Sequence, residues 1–144
     1  MNEIQILLVE DNEGDILLTI EAFKEMKIKN TVTVVKDGVE AIEFLKKRSQ
    51  ANDQPMPDLI LLDINMPKLN GIEVLEFIKQ DVTFRKIPVV MLTTSSSEAD
   101  ITACYDKFAN CYITKPLDFG KFMDVVEAIE SFWFSTAQLP RSSS

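Results

Sequence analysis

Four short stretches of the chain run into residues able to do ionic chemistry. ILLVED closes on Glu10 and Asp11, LILLD on Asp63 and VVMLT on Thr93, while CYIT is followed by Lys115. Each polar group comes directly after an apolar run, where a core strand would reach solvent. Three carboxylates, a hydroxyl and an ammonium form a specific set if they converge. Clustered carboxylates repel, and a hard divalent cation with oxygen ligands relieves that repulsion. An ammonium and a hydroxyl beside such a cation suit a phosphoryl group, whose equatorial oxygens they can neutralise. In that setting Asp63 is the candidate nucleophile, becoming an aspartyl phosphate.

The elements between these residues can bring them together. Ile4 to Val9 is an apolar run, and Asn12 is a candidate cap for a helix carrying Ile16, Leu17, Ile20 and Phe23, ending at Lys27. Thr31 to Val35 is β-branched, and a turn at Asp37-Gly38 leads to a helical stripe of Val39, Ala41, Ile42 and Leu45. Leu59 to Asp63 follows Pro55 and Pro57. After Pro67 and Gly71, a third helix carries Ile72, Leu75 and Ile78. Val89 to Leu92 is the fourth strand. Ser95 to Ser97 cap a helix with Ile101, Cys104, Tyr105 and Phe108, and Cys111 to Thr114 is the fifth strand. Asp118 caps a last helix running to about Phe134.

Five strands alternating with five helices, several strands apolar throughout, predict a parallel sheet covered on both faces. Right-handed crossovers make it doubly wound, and every strand then ends at the same edge. Ligands bind in open sheets of this kind beyond the carboxyl ends of the strands. Glu10, Asp11, Asp63, Thr93 and Lys115 are all expected there.

The totals fit one such unit. The chain has 144 residues, 46% hydrophobic and 26% charged, which predicts one domain over 1–134 with a loose tail over 135–144. Its 15 Lys plus Arg face 23 Asp plus Glu, a formal net charge of −8 that argues against nucleic acid and anionic membranes as partners. No apolar run approaches the roughly 20 residues of a membrane span. Two cysteines without CxxC spacing are expected as reduced thiols in a cytoplasmic protein. With no histidine, the chain has no histidine base and no phosphohistidine step of its own.

ILLVEDNEGD, LILLDINMPKLNG, VVMLTTS and YITKPLD, in this order on alternating elements, resemble the receiver domain of two-component response regulators. The resemblance spans about residues 3–133. It implies a flavodoxin-like fold with strand order 2-1-3-4-5, an order that periodicity does not supply. It also implies phosphorylation of Asp63 by a partner histidine kinase, with Mg²⁺, or Mn²⁺ in its place. Asp11 and Asp63 would hold the ion by side chain, Asn65 by its backbone carbonyl, and Glu10 through water. Thr93 and Lys115 would meet the phosphoryl oxygens, and Tyr112 would change rotamer as Thr93 moves. The consequence is a two-state shift of the face built from the fourth helix, fifth strand and fifth helix, which controls protein–protein contacts without enzymatic turnover of a substrate.

No output domain follows the last helix, so the signal is expected to pass by binding. On that helix Phe119, Phe122, Val126, Ile129 and Trp133 form a core face, while Val125, Ala128, Phe132 and Phe134 make a second apolar stripe. Surplus apolar surface of this kind predicts a homodimer. SFWFSTAQLP and the VTFRKIP loop resemble small stand-alone regulators that partner cyanobacterial bacteriophytochrome-type kinases, which implies a light-responsive donor.

Three other readings use parts of the same pattern. A haloacid-dehalogenase-type phosphatase also places Asp after a strand, but it carries a second Asp two residues on, where this chain has Asn65. Flavin binding on this fold needs hydroxyls and NH groups after the first strand, whereas VEDNEGD presents carboxylates. A receiver-like module that is never phosphorylated would keep the fold alone.

Overall fold

A computed structural model describes residues 3–27, 29–51, 54–66, 68–93, 111–114 and 119–132. Its strands are β1 (Ile4–Val9), β2 (Asn30–Val35), β3 (Leu59–Asp63), β4 (Val89–Thr93) and β5 (Cys111–Thr114). They form one parallel sheet in the order β2-β1-β3-β4-β5. The helices among the described residues are α1 (Glu13–Lys24), α2 (Gly38–Gln50), α3 (Gly71–Gln80) and α4 (Phe119–Phe132). The helix expected after Ser95, and the cap expected at Asp118, lie outside the described residues.

Alternation along the strands sends side chains into two cores. Leu7, Val9, Ile60, Leu62 and Met91 pack with Ala41 and Leu45 of α2 and with Val74, Leu75 and Ile78 of α3. Ile6, Leu8, Leu59, Leu61, Val90 and Leu92 face the other way, onto Ile16, Ala22 and Phe23 of α1 and Phe122 and Val126 of α4. A strand buried on both faces has no room for polar residues until its end, which is why β3 is apolar up to Asp63. Each fully buried Leu or Ile in these layers contributes about 1.5–3 kcal/mol of transfer free energy.

Local signals start the helices at the carboxyl edge of the sheet. Asn12 accepts from the Asp15 amide at 2.9 Å and Asp37 from the Glu40 amide at 2.8 Å. Asn70 and Glu73 form a reciprocal capping box, each side chain accepting from the other's backbone N–H. The box is written in the sequence as Asn70-Gly71-Ile72-Glu73.

Some side chains depart from expectation. Leu17 is 62% exposed, because Thr19, Ala22 and Phe23 turn the buried face of α1 away from it. Val39 is exposed for the same reason, since Gly38, Ala41 and Leu45 set the inward face of α2. Phe119, expected in the core, is exposed at the start of α4, one turn before buried Phe122. Helix α1 stops at Lys24, not Lys27: the Glu25 amide bonds the Ala22 carbonyl in a final tight turn.

Candidate functional site

Parallel pairing places the ends of β1 and β3 side by side. Val9 is in register with Leu62, so Glu10 and Asp63 are the next residue on each neighbouring strand. Carboxylate oxygens of Glu10, Asp11 and Asp63 all lie within 4.8 Å of one another. Glu10 and Asp63 are buried, at 0% and 3% exposure, and Asp11 is open to solvent. The cluster thus has a desolvated floor and an open mouth.

Backbone groups fix the carboxylates. The Glu10 amide donates to the Val35 carbonyl at 3.0 Å, extending the β1–β2 ladder past Val9. The Asn12 amide donates to Glu10 Oε2 at 3.2 Å, and the Asn65 amide to Asp63 Oδ1 at 3.1 Å. Beyond β3 the chain folds back tightly. The Ile64 amide bonds the Leu92 carbonyl at 2.9 Å, and the Gly71 amide bonds the Ile64 carbonyl at 2.9 Å. Met66 packs partly buried against the core beneath α2 and α3.

Three carboxylates this close, two of them buried, carry a concentration of negative charge that water solvates poorly. The donor set is all oxygen and open on one side, which fits Mg²⁺ or Mn²⁺ with waters or a phosphoryl group completing the shell.

The remaining expected residues are placed in part. Leu92 of β4 is in register with Asp63, so Thr93 follows at the same edge, opposite Thr114 of β5. Tyr112 lies in β5 opposite Met91. Lys115, the residue after Thr114, is outside the described residues. Of the second apolar stripe, Val125 is half-buried against the α1 core, Ala128 is exposed, Phe132 ends α4, and Phe134 is outside the described residues.

Three residues flanking the cluster were not singled out by motif. Lys36 and Asp37 follow β2, and Lys68 lies in the loop after β3 with a positive φ of 68°. Lys36 pairs with Glu13, and Lys68 Nζ lies 3.5 Å from Asp37 Oδ2. Asp37 had been visible only as half of a turn dipeptide, and the two cations as ordinary surface lysines.

Comparison with known proteins agrees with the geometry. Residues 6–127 match the model of the response regulator receiver domain. Response regulator Rcp1 of Synechocystis sp. is 44% identical over 135 residues, covering 94% of this chain and 92% of that protein. The crystal structure of the phosphorylated cyanobacterial phytochrome response regulator RcpA superposes with a TM-score of 0.82 at 45% identity, covering 94% of this chain and 96% of that one. The Mn²⁺-bound form of Rcp1 gives a TM-score of 0.79 at 43% identity, with 92% and 96% covered. These are signalling receivers of two-component systems rather than catalytic enzymes, and no described helix is long and apolar enough to cross a membrane. The chain belongs to the response regulator receiver domain family.

Proposed function

We propose that Asp63 is the phosphoacceptor of a phytochrome-type two-component system. A carboxylate oxygen of Asp63 attacks the phosphorus of a phosphohistidine on the partner kinase. A P–O bond forms as the P–N bond breaks, and the departing imidazole takes up a proton. Mg²⁺, or Mn²⁺ in its place, would be held by Glu10, Asp11, Asp63 and the Asn65 carbonyl, supplying charge neutralisation at the phosphoryl oxygens when bound. Thr93 and Lys115 are assigned to those oxygens, and Tyr112 to the accompanying rotamer change. Asp63 is buried, and the Asn65 amide donating to its Oδ1 holds the carboxylate within the cluster.

The observation that carries this reading is the three-carboxylate cluster at the carboxyl edge of the sheet, its oxygens within 4.8 Å. A phosphatase of the dehalogenase type is disfavoured because Asn65 stands where its acid would be. The phytochrome donor is supported by the phytochrome regulator RcpA, of 45% identity. We read residues 1–134 as five strands and five helices, and the protein as acting in the cytoplasm. Signal output is assigned to the face including β5 and the last helix, and the exposed position of Ala128 is compatible with a homodimer there.

The test is incubation with Mg²⁺ and a small phosphodonor, followed by intact mass. A gain of one phosphoryl group, absent from Asp63→Asn and abolished by chelator, is expected. No adduct with any donor or kinase would leave a receiver-like module that works by binding alone.

A further inference from the structure

The two residues after β2 point at the two loops that carry the acid cluster. Lys36 is ion-paired with Glu13, the first residue of α1. Glu13 follows Asn12, whose amide holds Glu10 Oε2. Asp37 reaches the opposite way, to Lys68 in the loop between Asp63 and α3. The same junction is pressed against that loop: a Cβ on Gly38 would lie 2.8 Å from Leu69 Cβ and from Val74 Cγ2, and nearer still to the Leu69 carbonyl oxygen. So adjacent side chains of opposite charge connect one point on β2 to both loops that supply cation ligands.

Stability does not account for this arrangement. Lys36, Glu13 and Lys68 are well exposed, and ion pairs in water contribute little to folding. Lys68 also holds a left-handed backbone conformation that an L-residue adopts at a cost. A strained residue kept beside a functional cluster points to a positional role.

We propose that Lys36 and Asp37, with Lys68, form a brace that sets the spacing between the β1–α1 and β3–α3 loops and thereby tunes divalent-cation affinity. The three are positioning residues, acting through Glu13 and the backbone around Asn65. This rests on the cation-binding reading of the acid cluster.

The sign of the effect separates a brace from a simple electrostatic field. Removing a lysine near the cluster makes the local potential more negative, which by itself tightens a cation. Removing a brace lets the loops drift apart, which weakens it. Mg²⁺ dissociation constants are measured by titration calorimetry for the full chain and for Lys36→Met, Lys68→Met, Lys68→Arg and Asp37→Asn. Urea unfolding without metal accompanies each. We expect 3- to 10-fold weaker binding in Lys36→Met, Lys68→Met and Asp37→Asn. Metal-free unfolding midpoints of the two lysine-to-methionine variants should stay close to the unmodified chain, and Lys68→Arg should restore affinity. The double variant Asp37→Asn/Lys68→Met should bind no more weakly than the worse single one, because both break the same link. Tighter or unchanged binding in the two lysine-to-methionine variants overturns the brace while leaving the cation site intact. An unmodified chain that binds no Mg²⁺ overturns both.

Discussion

Gly71 lies against the backbone of Asp63. A Cβ on Gly71 would stand 2.7 Å from Ile64 Cα and nearer still to the Asp63 carbonyl oxygen, while the Gly71 amide donates to the Ile64 carbonyl at 2.9 Å. The glycine is not there for a left-handed backbone, since no glycine among the described residues has a positive φ. It is there because the chain returns onto the end of β3 with no space for a side chain. The first residue of α3 thus packs directly on the backbone that carries the Asp63 carboxylate.

Gly71→Ala is expected to destabilise the fold by about 2–3 kcal/mol, since the colliding atoms are backbone and cannot rotate aside. For a chain of this size that lowers the melting temperature by about 5–10 °C. The strain falls on Asp63 and Ile64, so Mg²⁺ affinity should fall with it. Urea unfolding and calorimetry measure both. A loss under about 0.5 kcal/mol would show that the loop yields easily and does not position Asp63.

Asp37 should make stability depend on acid pH. Its carboxyl is held below the ordinary value of 3.8, first by accepting the Glu40 backbone N–H and then by the Lys68 ammonium, against the opposing effect of burial. A depressed folded value means that the ionised form stabilises the native state. That contribution is complete above about pH 4 and is lost as pH falls through the folded value. Asp37→Asn keeps an oxygen to cap α2 but cannot carry the charge. The difference in urea midpoint between the two chains should be constant from neutral pH to about pH 4 and should shrink on further acidification. A difference that widens below pH 4 would reverse the assignment.

Much of the site could be read from residue order. Apolar runs ending in Glu10, Asp63 and Thr93 marked strand ends, and parallel geometry alone sends those ends to one edge. The neighbour relation of β1 and β3, which brings Glu10 beside Asp63, was not legible in that way. Strands β1, β3 and β4 are all apolar enough to be central, so their order came through family resemblance. Lys36, Asp37 and Lys68 were missed for a different reason. Their pairings join residues far apart in sequence, and nothing in the residue type of Lys68 signals a positive φ. Leu17 and Val39 were misplaced because small buried neighbours, Ala22 and Gly38, turned the inward helix face by a fraction of a turn.

The carboxylate cluster should trade stability for function. Without cation, Asp63→Asn removes one of three clustered negative charges and is expected to stabilise the fold by about 1 kcal/mol. With Mg²⁺ at about 100 times its dissociation constant, the unmodified chain gains about 2.7 kcal/mol. Asp63→Asn and Asp11→Asn should gain little. The order of melting temperatures therefore inverts on adding Mg²⁺. Curves that shift equally in all three chains would mean that the ion binds elsewhere.

The last helix is anchored through Phe122, whose ring meets Phe23 of α1 edge-on at a centroid distance of 6.2 Å. Both rings are buried, and Phe122 sits with Val126 over Leu8, Leu61 and Leu92. Phe122→Ala should cost about 3–5 kcal/mol, transfer and cavity terms together. The edge-to-face contact adds about 0.5–1.5 kcal/mol beyond area, which a double-mutant cycle with Phe23→Leu isolates as coupling. Because Asp63 belongs to a separate strand end, Phe122→Leu, milder and still folded, should keep its Mg²⁺ affinity within about twofold. Loss of cation binding in that variant would mean that the seat of the last helix and the acid cluster are coupled through the sheet.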